Sequence, residues 1–342
     1  MSNEFEKFEG RHRMKLIVID CGTTNCRMRL MDGDTLLASI TKQVGAGDTA
    51  QSGSNNGLKR ALKESYEELA AAEPEAIREV HDIVASGMIT SSAGLMEIEH
   101  LPGPIKLSDF IGSIRRFAFP ELFPQPVLFI PGVRFKGEEE TDRDMIRGEE
   151  TELYGYMEHI APEEMGIKGR LFMHYGSHHK WIKTWERSIV SCSTSISGEL
   201  MMAVMQHTLL KDNTLPLDEV VPDPEWVRKG LETARQYGTG RALFQVRTLN
   251  VLDKHDKQVS TSFLLGVIVA QDLTMLTEEM LSGVEVIVLY GRRLFPSIVV
   301  PILQEFYPSI AIRVVPEEES SRLSVRGAAS LYRQYKEEMS IC

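Results

Sequence analysis

Four consecutive apolar residues, Leu16-Ile17-Val18-Ile19, three of them β-branched, begin the first regular pattern in the chain and predict a short buried strand. Asp20 puts a carboxylate at its carboxyl end, and a turn follows at Gly22-Thr23-Thr24-Asn25. From Asn25 to Leu30 polar and apolar residues alternate as in a second strand, and Asp32-Gly33-Asp34 turns into a third, Thr35 to Lys42. The Gly, Ser and Asn cluster Val44 to Gly57 predicts a surface loop, Leu58 to Ala72 an amphipathic helix, and Val80 to Ala85 a buried strand running into the loop Ser86 to Gly94. Further on, Ser108 to about Phe117 predicts a helix and Pro126 to Ile130 a buried strand.

From Arg170 the strand pattern restarts. Leu171 to Tyr175 reads as a strand, Gly176-Ser177-His178 as a tight tip and Lys180 to Trp185 as the returning strand, repeating the element at Asp20. Helices are expected from Ser197, a candidate N-cap, to about Leu210, then at about Glu225 to Gln236, Arg241 to Leu252 and Ser262 to Leu281. Val284 to Leu289 is a strand ending at Tyr290-Gly291-Arg292-Arg293, Pro296 suits a first helical turn, Ile310 to Val315 is another strand, and Ser320 to about Glu338 is a closing helix. The alternation of strands and helices indicates an α/β architecture.

The chain of 342 residues, with 42% hydrophobic content, fits two domains, each with its own core. The pattern divides it into a loose tail at 1–13, a first lobe at 14–165, a second at 166–319 and a final helix at 320–342 that returns towards the first lobe. A net charge of −11 argues against a nucleic-acid partner, which needs Lys and Arg gathered on one face. For an anionic small molecule it implies a divalent metal and a few placed cations, because like charges 4 Å apart cost roughly 4 kcal/mol at an effective dielectric of 20. The four cysteines, Cys21, Cys26, Cys192 and Cys342, are too few for a disulfide framework, and no second Cys or His pair accompanies Cys21 and Cys26 at zinc-like spacing. The charged tail is not a signal peptide and the longest apolar run, Phe263 to Ala270, is too short to span a bilayer, so a cytoplasmic protein with no membrane partner is expected.

Candidate chemistry sits at the strand ends. The tip after Asp20 offers main-chain N–H groups, hydroxyls and an amide of a size suited to a phosphate, yet it leads into a strand, unlike the G-x-x-x-x-G-K-[ST] and G-x-G-x-x-G loops that lead into helices. Ser86 to Gly94 is another strand-end loop, where ligands collect in alternating β and α architectures. The acidic stretch Gly137 to Gly155 contains Arg147 two residues before Glu149, a cation for a sugar acid and a carboxylate for proton removal at one helix entrance; a solvated acidic helix start is the plainer reading. His178 and His179, being adjacent on a strand, point to opposite faces and do not share a metal, whereas Lys180 is a cation within reach of the second tip.

In order, Ile19-Asp-Cys-Gly-Thr-Thr-Asn-Cys-Arg27, Ala85-Ser-Gly-Met-Ile89, Asp144-Met-Ile-Arg-Gly-Glu-Glu-Thr-Glu-Leu-Tyr-Gly155, Gly176-Ser-His-His-Lys-Trp181 and Ser197-Gly-Glu-Leu200 resemble the 2-dehydro-3-deoxygalactonokinases, sugar-acid kinases of the actin-like ATPase superfamily. The resemblance implies a two-lobed fold of duplicated ribonuclease H-like domains around a cleft. It further implies ATP-dependent phosphorylation of 2-dehydro-3-deoxy-D-galactonate at its 6-hydroxyl in galactonate catabolism, with ATP and Mg2+ required. Asp20 would then hold magnesium through water; Gly22, Thr23, Thr24, Asn25 and Arg27 from one lobe, and Gly176, Ser177, His178, Lys180 and Gly291 from the other, would bind ATP and its phosphates. Gly87, Met88, Arg147 and Glu150 would line the sugar acid, with Glu149 the base and Asp144 its reserve. Other aldonic or 2-keto-3-deoxy acids, a non-catalytic nucleotide-binding role and homo-oligomerisation stay open. The chain departs from the family's usual Trp at Cys21 and from its usual Pro-Gly at Tyr175-Gly176. It also carries Arg292 and Arg293 where small or hydroxyl residues are common, so that they either add a phosphate contact or obstruct the pocket.

Overall fold

The computed structural model describes residues 14–341, and the tail read at 1–13 lies outside them. Residues 166–321 form one compact unit, and the described residues on either side form the other. In the first unit β1 (Lys15–Cys21), β2 (Cys26–Asp32) and β3 (Thr35–Lys42) are an antiparallel meander. Helices α1 (Ala46–Ser52), α2 (Asn56–Ala72) and α3 (Pro74–Arg78) lead to β4 (Ile83–Gly87), which lies parallel to β1. Short strands β5 (Leu101–Pro102), β6 (Ile105–Lys106), β7 (Arg115–Phe117), β8 (Val127–Phe129), β9 (Val133–Phe135) and β10 (Asp144–Ile146) precede α4 (Glu149–Met157). The main sheet runs β3-β2-β1-β4-β8-β7, and β10-β9-β5 form a small separate sheet.

The second unit repeats that start. An antiparallel meander of β11 (Gly169–Tyr175), β12 (His179–Trp185) and β13 (Ser188–Ser195) is followed by α5 (Ser197–His207), α6 (Pro224–Tyr237), α7 (Thr239–Val251), α8 (Lys257–Leu273) and α9 (Glu278–Leu281). Then come β14 (Val286–Gly291), α10 (Leu294–Phe306), β15 (Ala311–Val314) and α11 (Glu317–Ser320), with β14 parallel to β11 and β15 parallel to β14. The order β13-β12-β11-β14-β15 matches β3-β2-β1-β4-β8 strand for strand. The last helix, α12 (Leu323–Ile341), belongs to the first unit.

Packing explains the sequence pattern. Central β1 is apolar without alternation because both of its faces are covered, and Leu16, Ile17, Val18 and Ile19 are all buried, whereas β3 at the sheet edge is largely exposed or half-buried. In the second unit α8 is buried nearly all round, the position a helix with an apolar run from Phe263 to Ala270 must take.

Several boundaries differ from the sequence reading. The expected loop Val44 to Gly57 contains α1, because the Asp48 carboxylate accepts the Gly45 N–H (2.8 Å) and closes a helical turn within a Gly-rich stretch. Ser108 to Phe117 is a 3-10 helix, Leu107–Ser113, followed by β7. The long helix expected from Ser262 to Leu281 is two. α8 starts earlier, where Asp256 accepts the Val259 N–H (2.9 Å), and Thr277 caps a new helix by accepting the Met280 N–H (3.1 Å). Ser197 is the first helical residue of α5, with Ile196 at the cap position. The closing helix is likewise split, into α11 and α12. Strand β13 is absent from the sequence reading because its Ser- and Thr-rich run lacks the apolar alternation of its neighbours.

Candidate active site

The β1–β2 register joins Cys21 to Cys26, so the first tip is the four residues Gly22 to Asn25. Its carbonyls turn away towards α1: the Gly22 carbonyl accepts the Ala46 N–H (3.2 Å) and the Thr23 carbonyl accepts the Gly47 N–H (2.9 Å). The Gly22 N–H is used within the tip, on the Asn25 carbonyl (2.8 Å). The N–H groups of Thr23, Thr24 and Asn25 have no partner among the described residues, which leaves a cluster of donors at the tip. Gly45 allows this arrangement, since a Cβ there would lie 2.3 Å from the Thr23 carbonyl oxygen.

The second tip, Gly176 to His178 between paired Tyr175 and His179, is built the same way. The Ser177 carbonyl accepts the Glu199 N–H at the start of α5 (2.7 Å), and a Cβ on Gly198 would lie 2.3 Å from the Gly176 carbonyl oxygen. The N–H groups of Gly176, Ser177 and His178 have no partner among the described residues. His178, partly exposed, meets Glu199 (3.0 Å), whereas His179 is fully buried against Asp272 (2.7 Å), the opposite-face arrangement of neighbouring strand residues. Lys180 is buried and its Nζ donates to Thr194 Oγ1 (3.1 Å).

The likeness extends to the neighbouring strand. Gly87 ends β4 opposite Cys21 with φ +82°, and Gly291 ends β14 opposite Tyr175 with φ +103°. A Cβ on either would lie 2.4 Å from the facing carbonyl oxygen, of Cys21 or of Tyr175, so both positions need glycine for space as well as for φ. Arg292 and Arg293 follow Gly291 with exposed side chains, and the Arg292 N–H bonds the Tyr175 carbonyl (2.9 Å).

Asp20 is partly exposed. Its Oδ2 accepts the Ser324 hydroxyl (3.2 Å) and lies 3.9 Å from Arg27 Nη1, while Oδ1 lies 3.5 Å from where a Gly87 Cβ would be. On the far side of Gly87 sits Gly148, φ +114°, whose Cβ position is 3.1 Å from the Gly87 Cα. Glu149 follows as the first residue of α4, its Oε2 accepting the Arg147 N–H (2.9 Å). The strand end thus gathers Asp20, Gly87, Gly148 and Glu149. Met88 opens a 3-10 turn beside them, and its carbonyl accepts the Ser91 hydroxyl (2.7 Å). Asp144 lies earlier, on β10, where its Oδ1 accepts the Met145 N–H (2.6 Å).

Two expectations for the sugar-acid residues change. Glu150 is buried, 1% exposed, with both carboxyl oxygens accepting the Gly148 N–H (2.9 and 2.7 Å), so its carboxyl group is engaged in holding the turn before α4. Burial, followed by the nearby Glu149 charge, pushes its carboxyl up to about 8. The Arg147 guanidinium is engaged by the protein. Nη1 donates to the carbonyl and hydroxyl of Thr90, and Nη2 reaches the Ile98 carbonyl (3.3 Å) and His100 Nδ1 (3.0 Å). Burial and the Arg147 charge lower His100 to about 4, so a neutral imidazole faces the guanidinium. The fork that a substrate carboxylate needs is therefore already occupied.

The cysteine reading also changes, because Cys21 and Cys26 form a disulfide that closes the first tip. Sequence reasoning did not reach Gly45, Gly47, Thr90, His100, Asp272 or Ser324. The run Gly45-Ala46-Gly47 carries a usable signal, since helix starts that pack on a backbone favour small residues, whereas Ser324 carries none. Among the described residues no group of three or more His, Cys, Asp or Glu is placed to hold a metal, and no helix is long and apolar enough to cross a membrane.

Comparison with known proteins gives the family and the fold. The profile of the family described as 2-keto-3-deoxy-galactonokinase matches residues 20–311. A 2-dehydro-3-deoxygalactonokinase of Escherichia coli (strain K12) is 26% identical over 266 residues, 77% of this chain and 81% of that one. A Sinorhizobium meliloti crystal structure, itself assigned only provisionally as a 2-dehydro-3-deoxygalactonokinase, superposes with TM-score 0.70 at 21% identity, covering 93% of this chain and 98% of its own. The activator of the 2-hydroxyisocaproyl-CoA dehydratase from Clostridium difficile, solved with bound ADPNP, gives TM-score 0.51 at 13% identity, covering 96% and 98%. The fold is that of the actin-like ATPases and sugar kinases, and the chain belongs to the 2-keto-3-deoxy-galactonokinase family of phosphotransferases.

Proposed function

We propose that this protein phosphorylates 2-dehydro-3-deoxy-D-galactonate at its 6-hydroxyl with ATP, releasing ADP. The observation that carries the reading is the strand end where Gly148 packs on Gly87 and Gly87 on Asp20, which brings a helix-start carboxylate, Glu149, beside a hairpin with unpartnered N–H donors. Phosphoryl transfer depends on alignment and charge neutralisation more than on covalent help. Thr23, Thr24 and Asn25 on the first hairpin donate their N–H groups to phosphate oxygens; Gly176, Ser177 and His178 give the second hairpin a donor cluster of the same kind. Lys180 adds the positive charge that an acidic protein must supply locally. Gly291 and Arg27 border these tips.

Asp20 would hold a magnesium ion: it is a hard oxygen donor at the edge of the tip, with Oδ1 unengaged by any hydrogen bond among the described residues. Such an ion would supply charge neutralisation for the transferring phosphate. Glu149 takes the proton of the substrate hydroxyl as its oxygen forms the new bond to phosphorus and the bond from phosphorus to the departing ADP oxygen breaks. Arg147, anchored on Thr90 and His100, positions Gly148 and Glu149, and Gly87 and Met88 border the acceptor. Asp144 is the alternative base, with Glu149 preferred because Gly148 ties it directly to the Asp20 strand end.

The test is a coupled ADP-release screen over aldonic and 2-keto-3-deoxy sugar acids with the wild type and Glu149→Gln. Wild-type turnover should be greatest on 2-dehydro-3-deoxy-D-galactonate, and the variant should lose about 10²- to 10⁴-fold in kcat while binding ATP as before. Preference for another sugar acid overturns the substrate assignment, and full turnover in the variant moves the base to Asp144.

A further inference from the structure

We propose that Ser324, on the last helix, is a positioning residue that sets the orientation of the Asp20 carboxylate and through it the affinity for the divalent cation. The inference rests on the reading of Asp20 given above. Ser324 lies 304 positions from Asp20 in the chain, is 5% exposed, and donates its hydroxyl hydrogen to Asp20 Oδ2 (3.2 Å).

The helix that carries Ser324 has little freedom to move. A Cβ on Gly327 would lie 1.8 Å from the Thr151 carbonyl oxygen of α4, and one on Gly155 of α4 would lie 2.2 Å from the Leu323 carbonyl oxygen. The two helices are in backbone contact at the turn of α12 that bears Ser324. Farther along, the Tyr332 hydroxyl donates to Asp82 Oδ2 (2.8 Å), and Asp82, 3% exposed just before β4, also accepts from Arg116 (3.2 Å). Ser324 is therefore presented to Asp20 by a helix fixed at both ends of its contact.

Asp20 Oδ2 meets the Ser324 hydroxyl and, at 3.9 Å, the Arg27 guanidinium, and the largely buried Arg29 guanidinium adds a second positive charge that attracts the same carboxylate. The hydroxyl holds Oδ2 and leaves Oδ1 on the Gly87 side. Without it the carboxylate is free to rotate about its Cβ–Cγ bond and close on Arg27, turning both oxygens into an ion pair and away from a cation. The first turn of α12 also contributes the positive end of a helix dipole near the carboxylate, and Ser324→Ala leaves that untouched. The variant therefore isolates the hydroxyl.

The experiment measures Mn2+ as a spectroscopic stand-in for Mg2+, titrated by electron paramagnetic resonance into the full-length protein with ADP, alongside steady-state kinetics over a Mg2+ range. Ser324→Ala should weaken Mn2+ binding and raise half-saturating Mg2+ by about tenfold, the size of one hydrogen bond to a charged group. Its kcat should recover at saturating Mg2+. Ser324→Thr, which keeps the hydroxyl, should stay within about twofold of the wild type. Unchanged metal affinity in Ser324→Ala, with Asp20→Asn losing it, overturns the role of Ser324 alone; unchanged affinity in Asp20→Asn overturns the reading of Asp20. Should Ser324→Ala fail to fold, Ser324→Cys, nearly isosteric with a weak donor, takes its place, and wild-type metal affinity there overturns the proposal as well.

Discussion

At the position where the first hairpin carries Asp20 the second carries His174, and the residues paired with them are Arg27 and Lys180. The pairs beside the tips differ too: a disulfide, Cys21–Cys26, closes one, and the rings of Tyr175 and His179, 4.9 Å apart and edge to face, flank the other. Yet the backbone around both is the same, with a helix start donating to the tip carbonyls and a positive-φ glycine against the residue before the tip. The frame is a property of the main chain, specified by glycines and strand pairing. The chemistry is left to side chains, which put a carboxylate, Asp20, before one tip and an imidazole, His174, before the other.

Substitutions at matched positions separate these two contributions. The largest effect is expected from Asp20→Asn, which should lower turnover by about 10²- to 10³-fold, the scale of losing one transition-state charge contact. His174→Ala, at the matched position but stacked on Tyr290 with ring centroids 4.8 Å apart, should cost less than about tenfold by the same measure. Equal losses in an ADP-release assay would break the assignment of the cation to the first hairpin. Next come Gly87→Ala and Gly291→Ala. Each forces a left-handed backbone and a Cβ onto a facing carbonyl, and each should destabilise the protein by about 1–3 kcal/mol, read as a lowered thermal midpoint. A neutral result at one glycine would show that the frames are less alike than their coordinates.

A pH-dependent effect should appear on the first unit, through Glu150. Its carboxyl is raised in the folded protein from 4.5 to about 8, so the folded state keeps a proton that the unfolded chain releases. The sign follows: this contribution is fully present below about pH 4.5 and is lost as pH rises through about 8. Thermal midpoints should therefore decline across that window in the wild type, and Glu150→Gln should flatten the decline. A slope unchanged by the substitution would place the titrating group elsewhere.

What could be read from the sequence divides along the same line between frame and detail. Apolar runs such as Leu16 to Ile19 and Val286 to Leu289 announce central strands, and the recurrence of strand, glycine, hydroxyl residue, strand exposes the duplication. Local caps decide the rest. The Asp48 side chain makes α1 out of a stretch rich in loop residues, and Thr277 starts a helix where the apolar pattern runs on without interruption. The fates of Arg147 and Glu150 depend on partners that only folding supplies: Thr90 and His100 lie far from Arg147 in sequence, and the depth at which Glu150 is buried is set by the elements packed over it. Adjacent charges that read alike in R-G-E-E thus part company, one buried and neutral, one at a helix entrance.

The return of α12 to the first unit bears on how the protein is made. Asp82 finds Tyr332, and Thr151 meets Gly327, only after the whole of 166–321 has been synthesised. On the ribosome the second unit is continuous and can close first, while the first waits for its last helix, exposed meanwhile to chaperones and to aggregation.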